Sequence, residues 1–127
     1  FPKIKCYSVE PKEFNDTQIS LAQNHITHNS KESYSICDAL LAMQPGNITF
    51  PINKKNLSGG LTVTDQEVKK TILELSENLK IVVEPGGAVA AAALLNNKID
   101  TKNKTIIVII SGGNIDSQMF LNIVKEF

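Results

Sequence analysis

Ser111-Gly112-Gly113-Asn114 follows directly on the apolar run at residues 105–110 and precedes Asp116, a residue suited to cap a helix. A buried apolar strand feeding a glycine turn and then a helix is the local grammar of an α/β sheet. In such sheets ligands gather at the carboxyl ends of strands, beside helix N-termini whose free N–H groups favour negative charge. Glycines at that place allow a closeness of backbone approach that a side chain forbids. Two readings stand on spacing alone: a tight connection in which Ser111 caps the last helix, or a ligand site. The pair is not a dinucleotide fingerprint.

Carboxylates mark two other places. Glu10, at the C-terminal end of an alternating strand-like stretch, is followed at short spacing by Asp16, which reads either as a helix cap or as a solvated acid. Glu84 precedes Pro85-Gly86-Gly87 at the entry to a small-residue helix, where a solvent acid and a buried, partnered carboxylate are both open readings. His25 and His28 lie in a polar loop without a third ligand, and are read as surface residues. Cys6 and Cys37 stand far apart with no metal-ligand spacing, and are read as two reduced, buried thiols.

The 127 residues, 42% of them hydrophobic, suffice for one ordinary core. Thirteen acidic residues balance 13 basic ones, so no net field draws the chain to nucleic acid or to an anionic membrane. All the basic residues are Lys, which leaves backbone N–H groups, hydroxyls and Lys to hold any anion. No apolar run approaches the ~18 residues of a membrane helix, and no signal-like N-terminus is present, so a cytoplasmic location is expected. The Asn-x-Ser/Thr matches are read as chance in an Asn-rich chain.

These residues need a scaffold. Alternation at residues 3–9 predicts a strand ended by Glu10-Pro11, and residues 16–23 predict a short helix capped by Asn15 or Asp16. Residues 24–32 read as a surface loop, and residues 35–43 as a helix stopped by Pro45-Gly46. A strand at residues 61–63 leads into Thr64, with Glu67 three positions on. That capping box opens a helix over residues 65–79, with Val68, Ile72, Leu73 and Leu75 at helical spacing. Residues 81–83 and 105–110 predict two further strands, and residues 88–95 a helix apolar on every side, hence buried. The last helix runs from the cap at Asp116 to the end.

Val9-Glu10-Pro11, Cys37-Asp38-Ala39-Leu40, Pro45-Gly46-Asn47-Ile48-Thr49-Phe50, Val83-Glu84-Pro85-Gly86-Gly87-Ala88 and Ser111-Gly112-Gly113-Asn114-Ile115-Asp116 stand in this order along the chain. Together they resemble the C-terminal half of threonine/serine dehydratases, relatives of serine racemase and tryptophan synthase β, over essentially the whole chain. The resemblance implies a fold-type II pyridoxal-phosphate enzyme: a three-layer open α/β sheet with helices on both faces. It implies that Ser111 hydrogen-bonds the pyridine nitrogen of pyridoxal 5'-phosphate, that Gly112 and Asn114 shape the wall around the ring, and that Glu84 faces the cofactor region. Ala39 takes the place of a family glycine whose backbone lies beside the cofactor. A divalent-cation site for Mg²⁺, Ca²⁺ or Mn²⁺ is implied at the carboxylates of Glu10 and Asp16 and the carbonyl of Phe14, although relatives carry a small residue where Phe14 stands.

The resemblance also places a Schiff-base lysine in a Ser-x-Lys context, and a glycine-rich phosphate loop, upstream of the matching part. No lysine of this sequence stands in that context, so no catalytic residue is assigned within it. The chain is therefore expected to be the C-terminal part of a catalytic domain whose N-terminal half is absent. Alone it should be inactive and should aggregate or oligomerise. The parent is expected to be a homo-oligomeric lyase acting on a small amino acid, releasing a 2-oxo acid and ammonia from L-threonine or L-serine. Serine racemase or another hydroxy-amino-acid dehydratase is the alternative within the enzyme class. The alternative outside it is a non-catalytic fragment that binds a small ligand or a partner.

Overall fold

The computed structural model describes residues 3–127. Its elements, in order, are β1 (Cys6–Pro11), α1 (Asp16–Gln23), a short 3₁₀ turn (Asp38–Leu40), α2 (Thr49–Asn56), β2 (Leu57–Val63), α3 (Asp65–Leu79), α4 (Pro85–Leu95) and α5 (Ser117–Glu126). The strands pair in parallel, with Val9 opposite Leu61 and Pro11 opposite Val63. A parallel pair needs a crossover connection, and the segment carrying α1 and α2 supplies it.

Alternation along the strands sorts the layers. A Cβ placed on Gly60 would stand 2.8 Å from Cα of Gln18, so α1 lies on that face. Leu61, Val63 and Val9 point the other way, into a core with Val68 and Ile72 of α3 and Ala88, Val89, Ala91, Ala92 and Ala93 of α4. Helices thus cover both faces of a parallel sheet, as expected. The small side chains of α4 let it lie close to both α3 and the sheet. Pro85 at its first position has its φ already set for a helix and sacrifices no intrahelical bond.

The capping box of α3 is formed: Thr64 Oγ1 accepts from the Glu67 N–H at 3.2 Å, and Glu67 Oε2 accepts from the Thr64 N–H at 2.7 Å. Glu67 also pairs with Lys98 at 2.6 Å, tying the residues after α4 to the start of α3. Helix α5 packs on α3 through buried Ile123, with Glu126 reached at 2.9 Å by both Lys69 and Gln66. Asp116 caps α5, its carboxylate accepting from the Met119 N–H at 2.8 Å.

Four expectations are corrected. Residues 35–43 form only the 3₁₀ turn, because their polar groups are taken by distant partners. Asp65 accepts from both the Ser35 hydroxyl and the Ile36 N–H, while Asn29 binds the carbonyls of Ala42 and Met43. Residues 81–83 and 105–110 join no ladder, since no strand among the described residues lies beside either segment. Ile107 and Ile109 are 79% and 68% exposed in consequence. Helix α2 was not anticipated: Phe50 is its one buried residue, and Pro51 in its first turn disguises it as a break. Cys6 is exposed, and only Cys37 is the buried thiol expected; burial pushes Cys37 up to about 11.

Burial pushes the Glu67 carboxyl up, but its bonds from Lys98 and Thr64 outweigh this and hold it below the ordinary 4.5. A depressed folded value means that Glu67 contributes stability above pH 4.5, and that this contribution is lost as pH falls through the folded value. Unfolding free energy measured from pH 7 downward should therefore fall more steeply in the wild type than in Glu67→Gln. Parallel curves would contradict the assignment.

Candidate active site at the start of helix α4

Helix α4 begins where two glycine pairs meet. The Glu84 N–H donates to the Gly112 carbonyl at 3.1 Å, and Glu84 Oε2 accepts from the Asn114 N–H at 3.0 Å. A Cβ on Gly87 would stand 2.7 Å from the Gly112 oxygen and 2.9 Å from its nitrogen, and one on Gly113 would stand 2.8 Å from the Val82 oxygen. A Cβ on Gly112 would collide with the Glu84 carboxylate. The absent side chains at 87, 112 and 113 are what let the turn lie against the helix start.

Glu84 is therefore no solvent acid: it is half-buried and spans the turn. It occupies the N-cap position with extended backbone, yet its carboxylate makes no bond to its own helix. Ala39 reaches the same place from the 3₁₀ turn, with its Cβ 3.4 Å from a Cβ placed on Gly86. The Ser111 side chain is exposed and has no hydrogen bond among the described residues. Since Asp116 caps α5, Ser111 is not the helix cap that one reading of the sequence allowed. The structure thus brings Ala39, Glu84, Gly112 and Asn114 to one corner, with Ser111 at its rim.

The acids near the first strand form a second group. Glu10 accepts the N–H groups of Thr17 and Gln18 at 2.9 and 2.8 Å, lying across the N-terminus of α1, where a carboxylate complements the helix dipole. Asp16 is buried and accepts from the Asn29 amide at 2.7 Å. Phe14 packs inside and donates its N–H to the Pro11 carbonyl at 2.9 Å. Desolvation raises both carboxyls, and the Asp16 charge raises Glu10 further against the N–H groups that lower it. Glu10, Asp16 and Ala39 border one cavity of about 280 Å³. No cluster of three or more His, Cys, Asp or Glu able to hold a metal occurs among the described residues, and nothing here assigns a metal. His25 and His28 are exposed.

Sequence reasoning missed Asn29, which ties buried Asp16 to the Ala42 carbonyl from within an apparent surface loop. Its only sequence signal is an Asn in a polar stretch. It also missed the role of Gly87, whose partner lies 25 residues further on.

A family profile described as "Pyridoxal-phosphate dependent enzyme" matches residues 1–112, and the chain belongs to that family. Its fold is that of the fold-type II pyridoxal-phosphate enzymes. L-threo-3-hydroxyaspartate ammonia-lyase from Pseudomonas sp. is 34% identical over 124 residues, covering 98% of this chain and 39% of the relative. Serine racemase from Dictyostelium discoideum is 38% identical over 118 residues, covering 91% of this chain and 36% of the relative. The solved structure of that racemase superposes with a TM-score of 0.80. A solved threonine deaminase from T.th. is 30% identical with a TM-score of 0.83, over 91% of this chain and 38% of that one. The chain spans less than two-fifths of the length of these relatives. Among the described residues, no helix is long and apolar enough to cross a membrane.

The glycine contacts make a paired prediction for the full-length protein. Gly87→Ala should cost about 1–3 kcal/mol of unfolding free energy, because backbone must move to admit the methyl. Gly86→Ala meets only ordinary contact and should be neutral or stabilising by up to ~1 kcal/mol. Urea unfolding of the two variants checks this, and equal effects would refute the contact.

Proposed function

We propose that the protein carrying this chain is an ammonia-lyase that dehydrates and deaminates L-threonine or L-serine to a 2-oxo acid and ammonia. The observation that carries the reading is the Ser111 hydroxyl. It is exposed at the rim of a turn held by Glu84 and Gly87, and it is not used to cap α5. The residues fit the family's cofactor, because a crowded glycine turn with one unengaged hydroxyl suits the edge of a flat heteroaromatic ring.

Pyridoxal 5'-phosphate, when bound, withdraws electrons from the α-carbon of an amino acid. Ser111 would donate a hydrogen bond from its hydroxyl to the ring nitrogen. A neutral hydroxyl cannot hold that nitrogen protonated as a carboxylate would, so the electron demand is moderate and loss of the β-hydroxyl is favoured. The peptide groups of Gly112 and Asn114 and the backbone at Ala39 would form the wall beside the ring, and Glu84 would support it. The lysine that links to the cofactor and the loop that holds its phosphate are expected from the rest of the protein.

A racemase is the second reading, favoured by the 38% identity to a serine racemase. Product analysis of the full-length protein separates the two: 2-oxo acid and ammonia for the lyase, D-serine for the racemase. Ser111→Ala should weaken pyridoxal-phosphate binding about tenfold, as expected for loss of one hydrogen bond to a polar ring atom. Wild-type protein that binds no pyridoxal phosphate would leave the non-catalytic reading in its place.

Glu10, Asp16 and the Phe14 carbonyl are proposed as hard oxygen ligands for Mg²⁺, Ca²⁺ or Mn²⁺, with water completing the shell. A buried and a half-buried carboxyl raised by desolvation, one also by the other's charge, support this, since a cation would relieve both effects. Each carboxylate oxygen bonded to an N–H keeps a further lone pair for the ion. Saturating divalent cation should raise the melting temperature of the full-length protein, and Asp16→Asn should abolish that rise. An equal rise in the variant would exclude the site.

A further inference from the structure

We infer that Glu84 is a positioning residue, whose carboxylate latches the turn that presents Ser111 to the cofactor ring. The inference rests on the proposed pyridoxal-phosphate reading. It gives Glu84 a task distinct from touching the ring.

Glu84 holds the turn at two points: its N–H binds the Gly112 carbonyl at 3.1 Å and its carboxylate binds the Asn114 N–H at 3.0 Å. These bonds bracket Gly113, so the peptides on either side of it are both tied to one residue. Among the described residues, few other hydrogen bonds restrain this stretch: residues 105–110 join no ladder, and the remaining backbone bond of the turn, from the Ile115 N–H to the Gly113 carbonyl at 3.0 Å, is internal to it. An acidic N-cap ordinarily turns its oxygen onto the N–H groups of its own helix. Glu84 makes no such bond, and its longer side chain reaches the turn instead. The packing agrees: the Gly112 Cα faces the carboxylate so closely that any Cβ there would collide with it.

A hydrogen bond to a charged acceptor contributes about 1.5–3 kcal/mol, which corresponds to roughly ten- to hundredfold in an equilibrium. Loss of the latch should therefore free the turn before it alters anything on the ring. Glutamine retains an oxygen that can accept from Asn114, and alanine does not.

The test uses full-length protein and the variants Glu84→Ala and Glu84→Gln, with two readouts. Amide exchange of Asn114 without cofactor should accelerate about tenfold or more in Glu84→Ala and stay within about threefold of wild type in Glu84→Gln. Pyridoxal-phosphate dissociation constants, from titration of its absorbance, should follow the same order. Glu84→Met, which keeps the reach but loses the carboxylate, replaces Glu84→Ala if that variant does not fold. Unchanged Asn114 exchange in the variant lacking an acceptor overturns the inference. So does a Glu84→Gln variant with weakened cofactor binding but normal Asn114 exchange, since charge at the ring would then be the role. Wild-type protein that binds no pyridoxal phosphate overturns the functional reading, while the exchange measurement still decides whether the latch exists.

Discussion

Two backbone segments, residues 82–87 and 112–114, lie against each other through glycines at 87, 112 and 113, and the corner that holds the candidate site residues depends on that contact. Gly87, Gly112 and Gly113 each sit where a Cβ would meet a carbonyl, an amide nitrogen or a carboxylate. The contact works only because α4 starts at a fixed place. Pro85 sets its first turn, Glu84 stands extended before it, and the buried alanines behind hold the helix against α3 and the sheet. A polar bond between Glu84 and Asn114 then fixes the turn where sterics alone would leave it free to slide.

The same economy appears at the C-terminal end of β1. Glu10 closes β1 and accepts the first free N–H groups of α1, so one carboxylate ends a strand and starts a helix. Asp16, the first residue of α1, is held by Asn29, which is itself bonded to the segment leading into α2. Both carboxyls are costly to bury, and both face the cavity that also touches Ala39. Ala39 borders that cavity and also meets the start of α4, so the two groups of functional candidates share a wall.

Helix α3 links these regions to the C-terminal residues. Its N-terminus receives Ser35 and Ile36 through Asp65, and Lys98 through Glu67, while its outer face carries α5. Placing an ion pair and a capping box at one helix start converts local sequence preference into a junction for three parts of the chain. Such a junction explains why residues 35–43 do not continue as a helix. Their hydrogen-bonding groups are worth more to α3 and Asn29 than to one another.

Local rules were enough for α1, α3, the cap of α5, most of β1 and the last three residues of β2, because each depends on near neighbours: a cap and its third residue, an apolar period, an alternation. The ordered motifs around Glu10, Ala39, Glu84 and Ser111 were enough for the family, and the match over residues 1–112 agrees. Other features are properties of pairs distant in sequence, which no local pattern encodes. Residues 105–110 read as a strand, but a strand exists only beside a partner. Asn29 reads as a loop residue, and its burial follows from Asp16 and Ala42 arriving on either side. Ser111 read equally as a cap or as a ligand contact. Tertiary structure removes the first reading, since Asp116 caps α5, and leaves the Ser111 hydroxyl unengaged at the rim of the turn that Glu84 holds.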